Sequence, residues 1–138
     1  MLARLYREAP VNSIWEGSGN VMCLDVLRAL DRAPDMLECV LEHLGEAAHG
    51  DALLHAELQA LRRLLQRPAP EQQGLARLVV QRLVLCVQAA LLRRHAPTEV
   101  ADAFVATRLA PSGGGRVLGA LDPTNLPVQA LLARALPA

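Results

Sequence analysis

The chain has 138 residues, enough for one modest domain with a core of its own. Apolar residues make up 52% and aromatics only 2%, with Leu and Ala dominant, a balance that favours helices over strands. The 14 basic and 14 acidic side chains cancel, which argues against a surface that is a nucleic-acid footprint throughout. Every one of the 14 basic residues is Arg. Guanidinium suits phosphates and carboxylates, but a genome-wide codon bias is the better account of the absence of Lys. Cys23, Cys39 and Cys86 are odd in number, widely spaced and set among apolar neighbours, so they read as reduced core thiols of a cytoplasmic protein. Met1-Leu2-Ala3-Arg4 does not open a secretion signal, and the most apolar run, Leu83 to Leu92, is too short to span a bilayer.

In chain order, Leu2 to Glu8 reads as the last turns of a helix stopped by Pro10, whose ring removes a backbone donor. A loop over Val11 to Gly19 holds Asn12, Ser13, Gly17 and Ser18. Asn20 to Leu30 is expected to be helical and mostly buried, with Asp25, Arg28 and Arg32 on one polar stripe. Pro34 suits the first turn of the next helix, whose apolar face is Leu37, Leu41, Leu44 and Ala48. Gly50 ends it and Asp51 caps a helix with a Leu54, Leu58, Leu61, Leu65 seam. Pro68 and Pro70 break the chain before a long helix, roughly Glu71 to Arg94, that is apolar nearly all round in its middle and is the candidate centre of a bundle. Thr98 is expected to cap a helix running through Leu109; Pro111 to Gly115 is a mobile loop; Pro127 to Leu136 forms a last short helix. No strand alternation appears, so the expected fold is all-α, an antiparallel helix bundle.

The stretch with most chemical content is Tyr6 to Arg28. Glu16 follows the only Trp, Trp15, and precedes Gly17-Ser18-Gly19. A carboxylate against an aromatic wall loses solvation, which raises its pKa toward that of a useful base. Gly17 and Gly19 allow the backbone close to a ligand, and Ser18 and Asn20 sit where a helix starts, where amides can hold a phosphate or carbonyl oxygen. By pattern alone the plainer account is a loop carboxylate followed by a helix cap.

At these residues the chain resembles the acyl-CoA dehydrogenases. They carry an aromatic-Glu-Gly-Thr/Ser signature between two helices of their C-terminal bundle, and Trp15-Glu16-Gly17-Ser18 matches it. The longer string, Tyr6-Arg7-Glu8, Pro10 to Asn20 and Met22 to Arg28, resembles a narrower group associated with the bacterial response to DNA alkylation; Val100 to Leu109 adds a looser match. The resemblance implies that Glu16 is the catalytic base that removes the α-proton of an acyl-CoA while FAD takes the β-hydride. It also implies cofactor contacts from Gly17, Ser18 and Asn20. Residues 1–33 would be the end of the dehydrogenase bundle with the catalytic loop, and 34–138 an additional helical domain. The narrower group further implies duplex DNA binding through its C-terminal helical part, with Arg28 and Arg108 at matching positions and Arg62, Arg63, Arg67, Arg77, Arg82, Arg93 and Arg94 as additions to a basic patch. Against this, Arg28 lies three residues after Asp25 and can pair with it, Arg62 and Arg63 can be solvated, and charge alone does not favour DNA.

Such a protein also needs an N-terminal helical domain, a flavin-holding β-domain and the first half of the bundle. The isolated chain is therefore expected to be inactive and to self-associate through exposed apolar surface, as a homo-oligomer (a tetramer in the parent), with no membrane contact. The alternative is a non-catalytic helical module for oligomerisation or DNA binding. Glu46-x-x-His49 and the pair Cys39 and His43 have metal-ligand spacings but lack the further ligands a site needs, so no metal is expected. Gly113-Gly-Gly-Arg116 lacks a P-loop Lys and reads as a linker.

Overall fold

The computed structural model describes residues 2–13, 17–110 and 126–135, and every regular element among them is helical. In order these are α1 (Leu2–Glu8), a 3-10 turn (Ala9–Ser13), α2 (Gly19–Arg32), α3 (Pro34–Ala47), α4 (Ala52–Leu65), α5 (Ala69–Gly74), α6 (Ala76–His95), α7 (Thr98–Arg108) and α8 (Val128–Ala135). The all-α bundle read from the sequence is the fold.

Helix α6 is the hub, packing against α2, α3, α4, α5 and α7. It buries Ala76, Val79, Cys86, Ala89 and Ala90, and its small residues let neighbouring helices come close. The expected leucine seam of α4 supplies Leu54, Leu58 and Leu61 to this core, joined by Leu41 and Leu44 from α3, Leu27 from α2 and Val105 from α7. Three ion pairs give the directions. Asp51 at the start of α4 meets Arg93 at the end of α6, Glu57 meets Arg82, and Arg62 near the end of α4 meets Glu38 near the start of α3. Thus α4 runs antiparallel to both α3 and α6.

Local chemistry sets the boundaries. Pro34 occupies the first turn of α3, where its missing N–H costs nothing. Gly50, at φ +81, turns the chain out of α3 in a conformation that L side chains rarely adopt. The Asp51 side chain then accepts from Leu54 N at 3.0 Å as the cap of α4. At the other end of α4, Gln72 Nε2 donates to the carbonyls of Leu65 and Arg67, at 2.8 and 2.7 Å, and straps α5 to it.

Four expectations need correction. The long helix expected from Glu71 is two: α5 begins at Ala69, and Leu75 (φ −106, ψ 10) separates it from α6 beside Gly74, a weak helix former. Helix α2 is not mostly buried; only Leu27 is, while Val21 and Met22 are each 51% exposed, because no described element covers their face. Cys39 is exposed and Cys23 only half-buried, so Cys86 alone is a core thiol. Thr98 is the first residue of α7 rather than its cap; Pro97 holds the cap position with no side-chain bond. Pro111 to Gly115 and Leu136 lie outside the described residues.

Burial separates the leucines by consequence. Leu61→Ala, at a position with 0% exposure, is expected to lower unfolding free energy by about 2–5 kcal/mol in urea titrations. Leu132→Ala, at 47% exposure on α8, should change it by less than about 0.5 kcal/mol.

Candidate functional site

The segment that carries the sequence motif is the entry to α2. Glu16 itself lies outside the described residues, as do Ile14 and Trp15. Gly17, immediately after, has φ +122, the left-handed side of backbone space. A Cβ there would sit 3.7 Å from Met22 Cγ, an ordinary contact, so backbone conformation and not space calls for glycine.

Ser18 follows in extended conformation (φ −64, ψ 145) as the N-cap of α2, yet its side chain makes no capping hydrogen bond. The first helical bond is Met22 N to the Ser18 carbonyl at 3.1 Å, so the amides of Gly19, Asn20 and Val21 precede it with no carbonyl in the helix to bond. Ser18 and Asn20 are both exposed. Beside this helix start stands the guanidinium of Arg77, from the first turn of α6: a Cβ at Gly19 would come 3.3 Å from its Nη2. Free amides, the positive end of the helix dipole and a guanidinium together favour an anion. No spacing rule links residues 19 and 77, so the sequence shows Arg77 only as one more member of a diffuse basic set.

The two arginines matched to a DNA site do not share a cleft. Arg28 is exposed on α2 and bonds Asp25 at 2.5 Å, as the helical spacing allows. It borders a cleft of about 190 Å³ between α2 and α5, with Leu24, Asp31 and Gln72. Arg108, at the end of α7, borders a different cleft of about 340 Å³ with Gln81, Gln88 and Phe104. Several of the remaining arginines are already matched. Arg62 pairs with Glu38, Arg67 with Glu71, Arg82 with Glu57, and Arg93 with both Asp51 and Asp102. The hydrogen bond to Asp102 raises the pKa of Arg93, burial opposes it, and the bonds to Asp51 add to the rise. Arg62, which lies opposite the leucine seam, is held by its pair across α3 and α4.

Among the described residues no group of three or more His, Cys, Asp or Glu side chains is placed to hold a metal ion. No helix among them is long and apolar enough to cross a membrane.

No protein-family model matches the chain, and no solved structure matches it. One curated relative does. Over 116 residues, 84% of this chain, the sequence is 39% identical to a protein of Escherichia coli (strain K12). Joined to the all-helical fold, that likeness makes the chain a C-terminal helical segment of the acyl-CoA dehydrogenase-like class. The relative is described as the putative acyl-CoA dehydrogenase AidB, and the match spans 21% of its length.

Burial also sets the chemistry of the thiols. The thiol of Cys86 is pushed up from 9.0 to about 12, first by loss of solvent and then by Glu57, with Arg82 opposing. Between these values the unfolded chain releases a proton that the folded chain retains, so this group costs stability as pH rises from 9.0 to about 12 and is silent below. Urea midpoints across that window should fall less steeply for Cys86→Ala than for the parent, and an equal slope would show that Cys86 does not titrate there.

Proposed function

We propose that this chain is the catalytic-loop and C-terminal portion of an FAD-dependent acyl-CoA dehydrogenase-like protein linked to the DNA alkylation response. Residues 1–33 close the dehydrogenase bundle and 34–138 form an additional helical domain. The observation that carries the proposal is the 39% identity over 84% of the chain to AidB. What supports it locally is the entry to α2, where Gly17 has a positive φ and Ser18 leaves the amides behind it uncommitted.

In this proposal the Glu16 carboxylate is the base that takes the α-proton of an acyl-CoA thioester. That proton is weakly acidic, so the base must be desolvated and the enolate-like charge stabilised by donors fixed in advance. FAD, when bound, accepts the β-hydride as the carbon–carbon double bond forms. The uncommitted amides at the start of α2, with the Ser18 hydroxyl and the Asn20 side chain, suit phosphate oxygens of such a cofactor, and Gly17 allows the close approach. Arg77 adds charge of the right sign. The described helices enclose no flavin by themselves, so activity requires the remainder of such a protein, as a homo-oligomer in the cytoplasm.

The same proposal gives the chain a role on duplex DNA, with Arg28 from the end of the bundle and Arg108 from the additional helical domain on phosphates. Because these border separate clefts, each would supply its own phosphate contact. A purely structural helical module remains the second reading, favoured by the exposed apolar surface of α1, the 3-10 turn and α2: Leu5, Tyr6, Val11, Val21 and Met22.

Two measurements test these roles. In a full-length flavoprotein that carries this segment, Glu16→Gln is expected to abolish bleaching of FAD by an acyl-CoA, and a fully active variant refutes the base. For DNA, anisotropy titrations of a duplex should show affinity falling steeply with salt. Each of Arg28→Ala and Arg108→Ala should reduce the slope of log affinity on log salt by about 1. Affinity insensitive to salt ends the DNA role.

A further inference from the structure

Helices α3 and α6 lie side by side with their C-terminal ends together, and an open cleft of about 370 Å³ runs between them. This is within the range of small-molecule sites, about 300–1,000 Å³. Its walls are apolar, with Val40 from α3 facing Val87 and Leu91 from α6. Its floor is the core residues Leu44 and Ala90, while Val40 and Leu91 on its rims are exposed.

One end of the cleft is cationic. Arg94 Nη1 donates to His43 Nε2 at 3.0 Å. Arginine has no acceptor, so the ring nitrogen must accept and the imidazole is neutral in this arrangement. Glu46 stands behind the ring, with Oε2 3.9 Å from His43 Nδ1, and does not line the cleft. The adjacent Arg93 provides the contrast, since it is matched by two carboxylates, Asp51 and Asp102. Arg94 has only the neutral ring as a partner among the described residues, which leaves its charge uncompensated and most of its donors unused.

We infer that this cleft binds a small amphiphilic carboxylate, with its alkyl chain along the Val40–Leu91 walls and its carboxylate on the guanidinium of Arg94. An apolar trough alone would select for nothing but greasiness. A guanidinium at one end, with two parallel N–H groups available, adds selection for a planar anion. The wall from Val87 to Arg94 rises about 1.5 Å per residue, roughly 10 Å in all, which suits a straight chain of about eight carbons. The site shares no residue with the Glu16 motif and stands or falls separately from the catalytic role.

Cys39 makes the inference measurable, because its thiol lines the same cleft and is exposed, while Cys86 is buried. The experiment follows alkylation of Cys39 by iodoacetamide, by peptide mass spectrometry of the full chain, against octanoate concentration. Octanoate is expected to slow labelling of Cys39 at least 10-fold, saturably, while acetate and 1-octanol at equal concentrations slow it less than 2-fold. Arg94→Gln should weaken the octanoate effect at least 10-fold, and Arg94→Lys should retain part of it. Unchanged labelling with octanoate overturns the inference, as does equal protection by 1-octanol, which would show that the cation selects nothing. Protection without any ligand that rises with protein concentration would assign the cleft to a second copy of the chain, and also overturns it.

Discussion

The need to cover α6 constrains this structure more than any other demand. Its 20 residues are apolar on more than one side, so a single partner cannot remove it from water. Helices α2, α3, α4, α5 and α7 all pack on it. Its buried alanines set the distance of approach, and the leucines of α4 fill the space between. Ionic contacts follow this packing and do not cause it: Arg82 and Arg93 project from α6 toward α4 and find Glu57 and Asp51 because the antiparallel arrangement brings them into reach. Pairs so little exposed fix the register of neighbouring helices more than they stabilise them.

What the sequence made legible was local. Pro34, Gly50 and Asp51 act on their own backbone or on residues three or four away, and each does what its chemistry dictates. The Leu54, Leu58, Leu61 seam is likewise a property of one helix, and its period identifies the inward face. Where the sequence misled, the missing information was which face finds a partner. Helix α2 has ample apolar character, yet only Leu27 meets the core. Cys39 sits among apolar neighbours in the chain but points into the open trough between α3 and α6. The division at Leu75 was hidden because Gly74 interrupts an otherwise continuous helical pattern only weakly.

The candidate site divides in the same way. Trp15-Glu16-Gly17-Ser18 is contiguous and can be recognised as a string, and the positive φ of Gly17 accounts for the glycine at its third position. Arg77 beside the start of α2 is a contact between residues far apart in the chain, and only the fold reveals it. The pairing of Arg94 with a neutral imidazole is another such contact. The even overall charge conceals this unevenness, because among the described residues some guanidiniums, Arg93 above all, are held by carboxylates while others, Arg77 and Arg94 among them, have none.

Arg93 is a shared knot. Its guanidinium holds Asp51, which also caps α4, and Asp102, which belongs to α7. Three helix ends therefore meet on one side chain at the same pole of the bundle. Fraying of any one removes a constraint from the other two, so these ends should exchange their amide hydrogens as a single cooperative unit and not strand by strand of the chain. The opposite pole is tied differently, by the Gln72 strap between α4 and α5 and by the separate Arg62–Glu38 pair between α4 and α3, so its helix ends share no common side chain and can open one at a time.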